Sequence, residues 1–316
     1  MRILLWHVHG SWTTAFVHGR HEYVVPVTAE RGPDGRGRAR TWDWPASVVE
    51  RAPEQLRDEA FDVVVLQRPH ELASLCEEWT GRRPGRDVPA IYVEHNAPQG
   101  RIAEMVHPAA DRDDLTVAHV THFNDLFWDC GTTRTRVIEH GVVDPGRRYT
   151  GVMPRAGVVI NEARRRGRVT GTDLLPRFEA GGVPIDLYGF GAIERDQHHL
   201  HEELAQRRVY VHPIRWTSLG LSLIEAMHLG MPVVALATTE APEAIPAQAG
   251  VVSTRVDVLV RAARAYLHDP DAARAAGDAA RAHALERFGL DRFLADWDDL
   301  LEEVTAGAHR AGLGAR

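Results

Sequence analysis

The segment Tyr210-Val-His-Pro-Ile-Arg-Trp-Thr-Ser-Leu-Gly-Leu-Ser-Leu-Ile-Glu-Ala-Met-His-Leu-Gly-Met-Pro-Val-Val-Ala235 leaves this chain few folds, because it reads strand, glycine turn, helix, glycine, strand. Tyr210 and Val211 suit a buried strand, Leu221 to Leu229 carry helical spacing, and Gly230 and Pro232 stop the helix. Pro232-Val-Val-Ala-Leu then reads as the next buried parallel strand. Gly220 lets backbone approach a ligand. A helix starting at the carboxyl end of a strand offers free N–H groups and a positive dipole, which suits a diphosphate. Glu225, one turn further in, reaches hydroxyls beside that anion.

The same alternation runs through the chain. Apolar runs at Ile3 to Val8, Tyr23 to Val27, Val63 to Leu66, Ala90 to Val93, Leu115 to Val120 and Val137 to Ile138 predict one parallel sheet covered by helices. A second series starts after Gly141-Val-Val-Asp-Pro-Gly146, with Gly157 to Ile160, Ile185 to Tyr188, Val209 to His212, Pro232 to Leu236 and Val251 to Val252. The Gly/Arg-rich stretch Gly32 to Arg40 lacks apolar periodicity and reads as an exposed loop whose charge sits in water. From Val256 the chain is helical in period through Ala284, and Leu290 to Val304 forms a further amphipathic helix ending before Gly307. The tail from Ala306 is expected to fray.

Length allows two domains: 316 residues, 44% of them apolar. A net charge of −7 argues against nucleic acid as the main partner. Lysine is absent, so any phosphate site must be built from arginine forks and backbone N–H groups. Cys76 and Cys130 have neither metal-site spacing nor the density of a disulfide scaffold, and no apolar run approaches the ~20 residues that span a bilayer. A soluble protein in a reducing cytoplasm is expected, with oligomeric state open.

The segment around Glu225 resembles the donor-site signature of the retaining glycosyltransferases of family 4. That resemblance implies an α/β protein of GT-B fold: two facing Rossmann-like domains with parallel sheets. Residues 1–148 would form the acceptor-side domain and residues 149–285 the nucleotide-sugar-binding domain. Residues 286–316 would form a C-terminal helix packing back toward the first domain, then a frayed tail. Glu225 falls on the family glutamate that accepts from the nucleotide ribose, and Thr217, Ser218, Leu219, Gly220 and Leu221 fall on the turn facing the donor. Thr217 stands where the family has a second glutamate that touches the donor sugar. Val158-Val-Ile-Asn-Glu-Ala-Arg resembles the family segment whose arginine and following Lys-Gly neutralise the leaving diphosphate. Arg164 takes the arginine position, Gly171 the glycine position, and Thr170 stands where the lysine would be. Arg165, Arg166 and Arg168 are near enough in sequence for one to supply that charge, or the run is a solvated loop with a single ligand contact. Leu187-Tyr-Gly-Phe-Gly191 resembles the family's Gly-x-Gly strand end, where the glycines leave room for nucleotide.

In the first half, His7-Val-His-Gly-Ser-Trp-Thr-Thr14 stands where the family has a glycine loop, so Gly10 is a donor candidate, with His9 or Trp12 lining the acceptor pocket. His7 and His9 have His-x-His spacing, but alternate residues leaving a strand point apart and no third ligand accompanies them. Val93-Glu-His-Asn-Ala-Pro98 resembles the family's acceptor-side turn, with His95 placed to contact the transferred sugar or its acceptor. The cluster His198, His199 and His201 reads as an exposed helix. The implied activity is metal-independent transfer, with retention, of a sugar from a nucleotide-diphosphate sugar to an acceptor hydroxyl, without a resident cofactor. A sugar-nucleotide epimerase of the same fold and a non-catalytic nucleotide-sugar binder are the alternatives. The first calls for an acid/base pair, which is not found, and the second is motivated by Thr170 and Thr217.

Overall fold

The computed structural model describes residues 1–310, with side chains through residue 307. It contains two units, one of Met1–Gly141 together with the segment from Leu290 onward, the other of Val142–Gly289.

The first unit holds seven strands: β1 (Arg2–Leu5), β2 (Glu22–Pro26), β3 (Val48–Arg51), β4 (Val63–Leu66), β5 (Ala90–Glu94), β6 (Thr116–His119) and β7 (Arg134–Val137). All pairs are parallel, in the order β3-β2-β1-β4-β5-β6-β7. The Val-rich β4 and the β-branched and aromatic β5 are buried along their whole length, as strands covered on both faces must be. The edges differ. β7 carries Arg134 and Arg136 in the open, which discourages pairing with another chain. β3 opposite it is the strand the sequence reading missed, since only Val48 and Val49 are apolar before Glu50 and Arg51.

The second unit holds β8 (Met153–Val159), β9 (Ile185–Tyr188), β10 (Arg207–His212), β11 (Val233–Leu236) and β12 (Gly250–Ser253), again parallel, in the order β12-β11-β10-β8-β9. In each sheet the chain reverses its direction of travel once, between β1 and β4 in the first and between β8 and β10 in the second. In open α/β sheets, ligands bind beyond the strand carboxyl ends at such switch points.

Three expectations need correction. The helical stretch from Val256 is two helices, Val256–His268 and Pro270–Arg287. Pro270 lacks an N–H and forces extended backbone on Asp269, whose carboxylate then caps the second helix at the N–H groups of Asp271 (3.2 Å) and Ala272 (2.9 Å). The last helix runs Leu290–Arg310, past Gly307, so residues 306–310 are helical. The fray expected beyond them lies outside the described residues. The stretch from Gly32 to Arg40 is irregular and carries Arg36 and Arg40 in the open, but Arg38 does not sit in water: its guanidinium donates to the carbonyls of Trp44 (2.7 Å), Pro45 (2.9 Å) and Val48 (2.5 Å), and its backbone N–H donates to Glu50 (2.8 Å). The course of the stretch depends on glycine at 35, where an added Cβ would lie 2.5 Å from Thr28.

Candidate functional site

In the second unit, two loops flank the switch point. After β8 the chain turns at Glu162, held at a left-handed φ of 54°, into the short helix Ala163–Arg166. The turn is locked to the loop after β9: Glu162 N–H donates to the Phe190 carbonyl (2.8 Å), and Phe190 N–H to the Asn161 side chain (2.9 Å). A Cβ on Gly189 would lie 2.4 Å from the Ile160 carbonyl, so this glycine serves the closeness of the two loops, while Gly191 faces open space. On the other side, the N–H groups of Arg215 and Trp216 donate to the Val169 carbonyl at 3.0 and 3.1 Å. Gly171, at φ 73°, completes the join: a Cβ there would sit 1.8 Å from the Pro213 carbonyl. The arginine loop and the turn entering the next helix are therefore one construction.

Within it the arginines separate. Arg165 pairs with Glu162 (2.7 Å) and Arg168 with Asp173 (3.3 Å), which also receives Arg215 at 2.5 and 2.9 Å. Arg164 is exposed and Arg166 half-buried, and among the described residues neither guanidinium pairs with a carboxylate. Thr170 is wholly buried, with its hydroxyl 3.2 Å from the Gly167 carbonyl and 3.0 Å from Thr172. It faces inward and leaves the position without an outward donor.

Beyond β10, Ser218 and Leu219 are buried, while Thr217, Gly220 and Leu221 are partly open. Gly220 takes the cap position of helix Leu221–Leu229 with no side-chain cap and no acidic residue in the first turn, so the leading N–H groups keep their capacity for an anion. His212 lies beneath: a Cβ on Gly220 would come 2.7 Å from its ring. Burial lowers His212 to about 4, so it is neutral near pH 7 and adds no charge.

Glu225 sits behind this helix start, 5% exposed. Its carboxylate accepts from Gln197 Nε2 at 2.7 Å, and His201 Nε2 lies 3.3 Å from the same oxygen. The reading of His198, His199 and His201 as a uniformly exposed cluster fails here. His198 and His199 are exposed on helix Gln197–Leu204, but His201 is buried against Glu225. Gln197 and His201, four apart on one helix face, were the signal that sequence reasoning passed over.

In the first unit the corresponding loops follow β1 and β4. Gln67, just after β4, donates its amide to the Trp6 carbonyl (2.7 Å) and presents its oxygen to His95 Nε2 (3.0 Å). Because a carbonyl accepts only, the amide orientation is fixed and His95 carries its proton on Nε2. The His9 ring lies 4.1 Å from the His95 ring, and the His140 ring 6.5 Å from it in near-parallel orientation. Burial depresses all three, His9 to about 4, His140 to about 3 and His95 well below its usual value, with neighbouring cations and one another adding to it. His7 instead turns to the Gly37 carbonyl (2.9 Å). Gly10, half-buried, opens helix Gly10–Phe16, and a Cβ on it would meet Trp42 at 3.4 Å. Trp12 departs from its expected place in an acceptor pocket. It is fully buried, stacked on Phe16 (5.0 Å) and edge-on to Trp297 (5.7 Å), and its role is to back the His95 ring at 4.9 Å. Among the described residues no three His, Cys, Asp or Glu side chains converge as a metal site requires, and no helix is long and apolar enough to cross a membrane.

Residues 190–283 match the family described as glycosyl transferases group 1. No curated protein is significantly similar in sequence. Among solved structures, a sucrose-phosphate synthase from Thermosynechococcus elongatus is similar over 97% of this chain and 100% of its own, at 14% identity and a TM-score of 0.70. The Anabaena protein HepE, solved with UDP and glucose, is similar over 96% of this chain and 100% of its own, at 13% identity and a TM-score of 0.63. A glycosyltransferase from Rickettsia africae aligns over 96% and 98%, at 13% identity and a TM-score of 0.60. The fold is GT-B, the second unit carries the sequence pattern of glycosyl transferases group 1, and the chain is a glycosyltransferase.

Proposed function

We propose that the chain moves a sugar from a nucleotide-diphosphate sugar to an acceptor hydroxyl with retention at the anomeric carbon, without a metal or other cofactor. The observation that carries this reading is the uncapped start of helix Leu221–Leu229 joined, through Val169, to the loop bearing Arg164 at the switch point of the second sheet. In this reading the diphosphate lies on the N–H groups at Gly220 and Leu221, with the turn Thr217 to Leu219 shaping the pocket wall. Arg164 and Arg166 meet the charge that builds up on the leaving diphosphate, which a water-poor site makes worth several kcal/mol, on the order of 2.7–4 for one such donor. Arg168, tied to Asp173, is a weaker contributor. Glu225, whose carboxylate accepts from Gln197, is assigned to the ribose hydroxyls.

In the first unit, Gly10 is assigned to the donor and His9 to the acceptor. His95, neutral and held in one tautomer by Gln67, contacts the sugar being transferred without adding a charge near the anomeric carbon. In the transfer step the acceptor oxygen bonds to that carbon as its bond to the phosphate oxygen breaks, on the same face of the ring. The acceptor's proton goes to the departing phosphate oxygen, and no protein base is consumed.

UDP-glucose, the ligand of one HepE structure, is the first donor to try. Incubating the protein with isotope-labelled UDP-glucose should release UDP, by slow hydrolysis or by transfer, and Arg164→Ala should lower that release at least tenfold. An isomerised nucleotide sugar as the sole product would instead indicate an epimerase. The inward-facing Thr170 favours one second reading, a protein that binds nucleotide sugar without turning it over, and UDP binding with no release would establish it.

A further inference from the structure

The stretch from Gly32 to Arg40 forms, with His7 and Arg31, an open concavity of about 230 Å³ whose lining is His7, Arg31, Arg36, Arg38, Ala39 and Arg40. Four of six lining residues are arginines and none is acidic, on a chain whose net charge is −7. Glu50 binds Arg31 through both oxygens at 3.0 and 3.2 Å, and Asp34, in the same stretch, pairs with Arg68 at 2.7 Å. Burial pushes Glu50 up, but the hydrogen bonds from Arg31 and the Arg38 N–H outweigh it and hold the carboxyl below its usual range. Glu50 is therefore shared between the Arg31 guanidinium and the Arg38 N–H. Arg38 is bound to three backbone carbonyls and to no carboxylate side chain through its guanidinium, and it cannot turn away. Arg36 is exposed, its guanidinium 3.4 Å from the Val8 carbonyl, and Arg40 is exposed.

Like charges gathered in a concavity repel, and side chains otherwise free to spread into water are here brought to one cavity by a backbone that is itself fixed. Gly37 adopts φ 65°, a conformation that disfavours any side chain there. The construction is a preorganised anion cradle. Its place is equally specific: Arg36 holds the carbonyl of Val8 and depresses His9, the next residue, after burial has done so first. The cavity thus adjoins the loop from His7 to Gly10. At about 230 Å³ it is smaller than the ~300–1,000 Å³ of pockets that take whole ligands, so it fits one charged group of a larger molecule.

The geometry points to a phosphate-binding subsite formed by Arg31, Arg36, Arg38 and Arg40, whose ligand is the phosphate monoester of a small phosphorylated acceptor. The word acceptor rests on the glycosyltransferase reading; the phosphate site does not. Arginine forks match the three terminal oxygens of such a group, and a phosphate there would anchor a sugar or polyol with its hydroxyl beside His9.

The test is calorimetric titration of the intact protein with inorganic phosphate, glucose 6-phosphate and glucose, repeated on the double variant R36Q/R40Q and on R36K/R40K. Arg36 and Arg40 are exposed and, among the described residues, hold no other side chain, so both variants are expected to melt as the parent does. Glucose 6-phosphate should bind at least tenfold more tightly than glucose; R36Q/R40Q should lose that margin, and R36K/R40K should keep part of it. Equal binding of the two sugars, or a margin that survives in R36Q/R40Q, would overturn the proposal. So would sedimentation with phosphatidylglycerol vesicles in place of phosphate binding, which would assign the arginines to a lipid surface. UDP titrated into the same protein separates the two claims: phosphate binding without UDP binding would preserve the subsite and remove the donor reading.

Discussion

Glu225 and Arg164 lie at opposite extremes of exposure, and their replacement should fail in different ways. Glu225→Ala leaves Gln197 and His201 facing a vacated position, so stability should fall by about 1–3 kcal/mol while UDP affinity falls tenfold or more. Urea melts and calorimetry read the two losses separately; unchanged UDP affinity would take Glu225 out of the site. Arg164→Ala removes an exposed, unpaired cation, so stability should move by no more than about 0.5 kcal/mol while turnover drops. Parallel loss of both would make Arg164 structural. The helix start at Gly220 and the place of Glu225 within that helix were legible in the sequence because spacing along one β-α unit dictates them. The buried state of Trp12 was not, since its partner Trp297 is 285 positions away and nothing local records that contact. The orientation of Thr170 was hidden for the same reason: a hydroxyl reads alike whether it faces ligand or its own backbone.

Elements with a strong apolar run came out of the sequence at nearly their observed bounds, and β3 did not, because an edge strand needs only one covered face. Punctuation was harder to weigh than periodicity. Helical spacing continues through Pro270, yet the absent N–H and the restricted Asp269 divide the stretch in two. Asp269→Ala should therefore cost about 1 kcal/mol, visible as a lower melting temperature. Gly171→Ala should cost more in the same melts, since its φ of 73° and the Pro213 carbonyl both resist a side chain. A Gly171→Ala protein that melts with the parent would show that the join between the arginine loop and the Gly220 turn gives way freely. The anchoring of Arg38 was the least legible, for its hydrogen bonds run to backbone carbonyls that carry no sequence signature.

At the level of the whole molecule, the depressed histidines set an acid limit. His9, His119 and His212, at about 4, and His140, at about 3, are neutral when folded, whereas the unfolded chain takes up protons near 6.5. The unfolded state then binds more protons between those values, so stability is complete above about pH 6.5 and is lost as pH falls toward 4. Urea midpoints across pH 7.5 to 4.5 should decline accordingly, and flat midpoints would place these rings in water. The first unit also depends on the far end of the chain. Phe293, Trp297, Leu300 and Leu301 are buried, and Phe293 and Trp297 close over Trp12, so a protein ending at Gly289 should lose cooperative melting of that unit while Val142–Gly289 remains folded. Vectorial synthesis gives this discontinuity a temporal meaning. The ribosome makes every strand of the first sheet early, yet the aromatic face of its opening helix must wait, uncovered, while 148 intervening residues are translated and fold. For those seconds the nascent chain is a natural client for a chaperone, and the order of maturation is the reverse of the order of emergence.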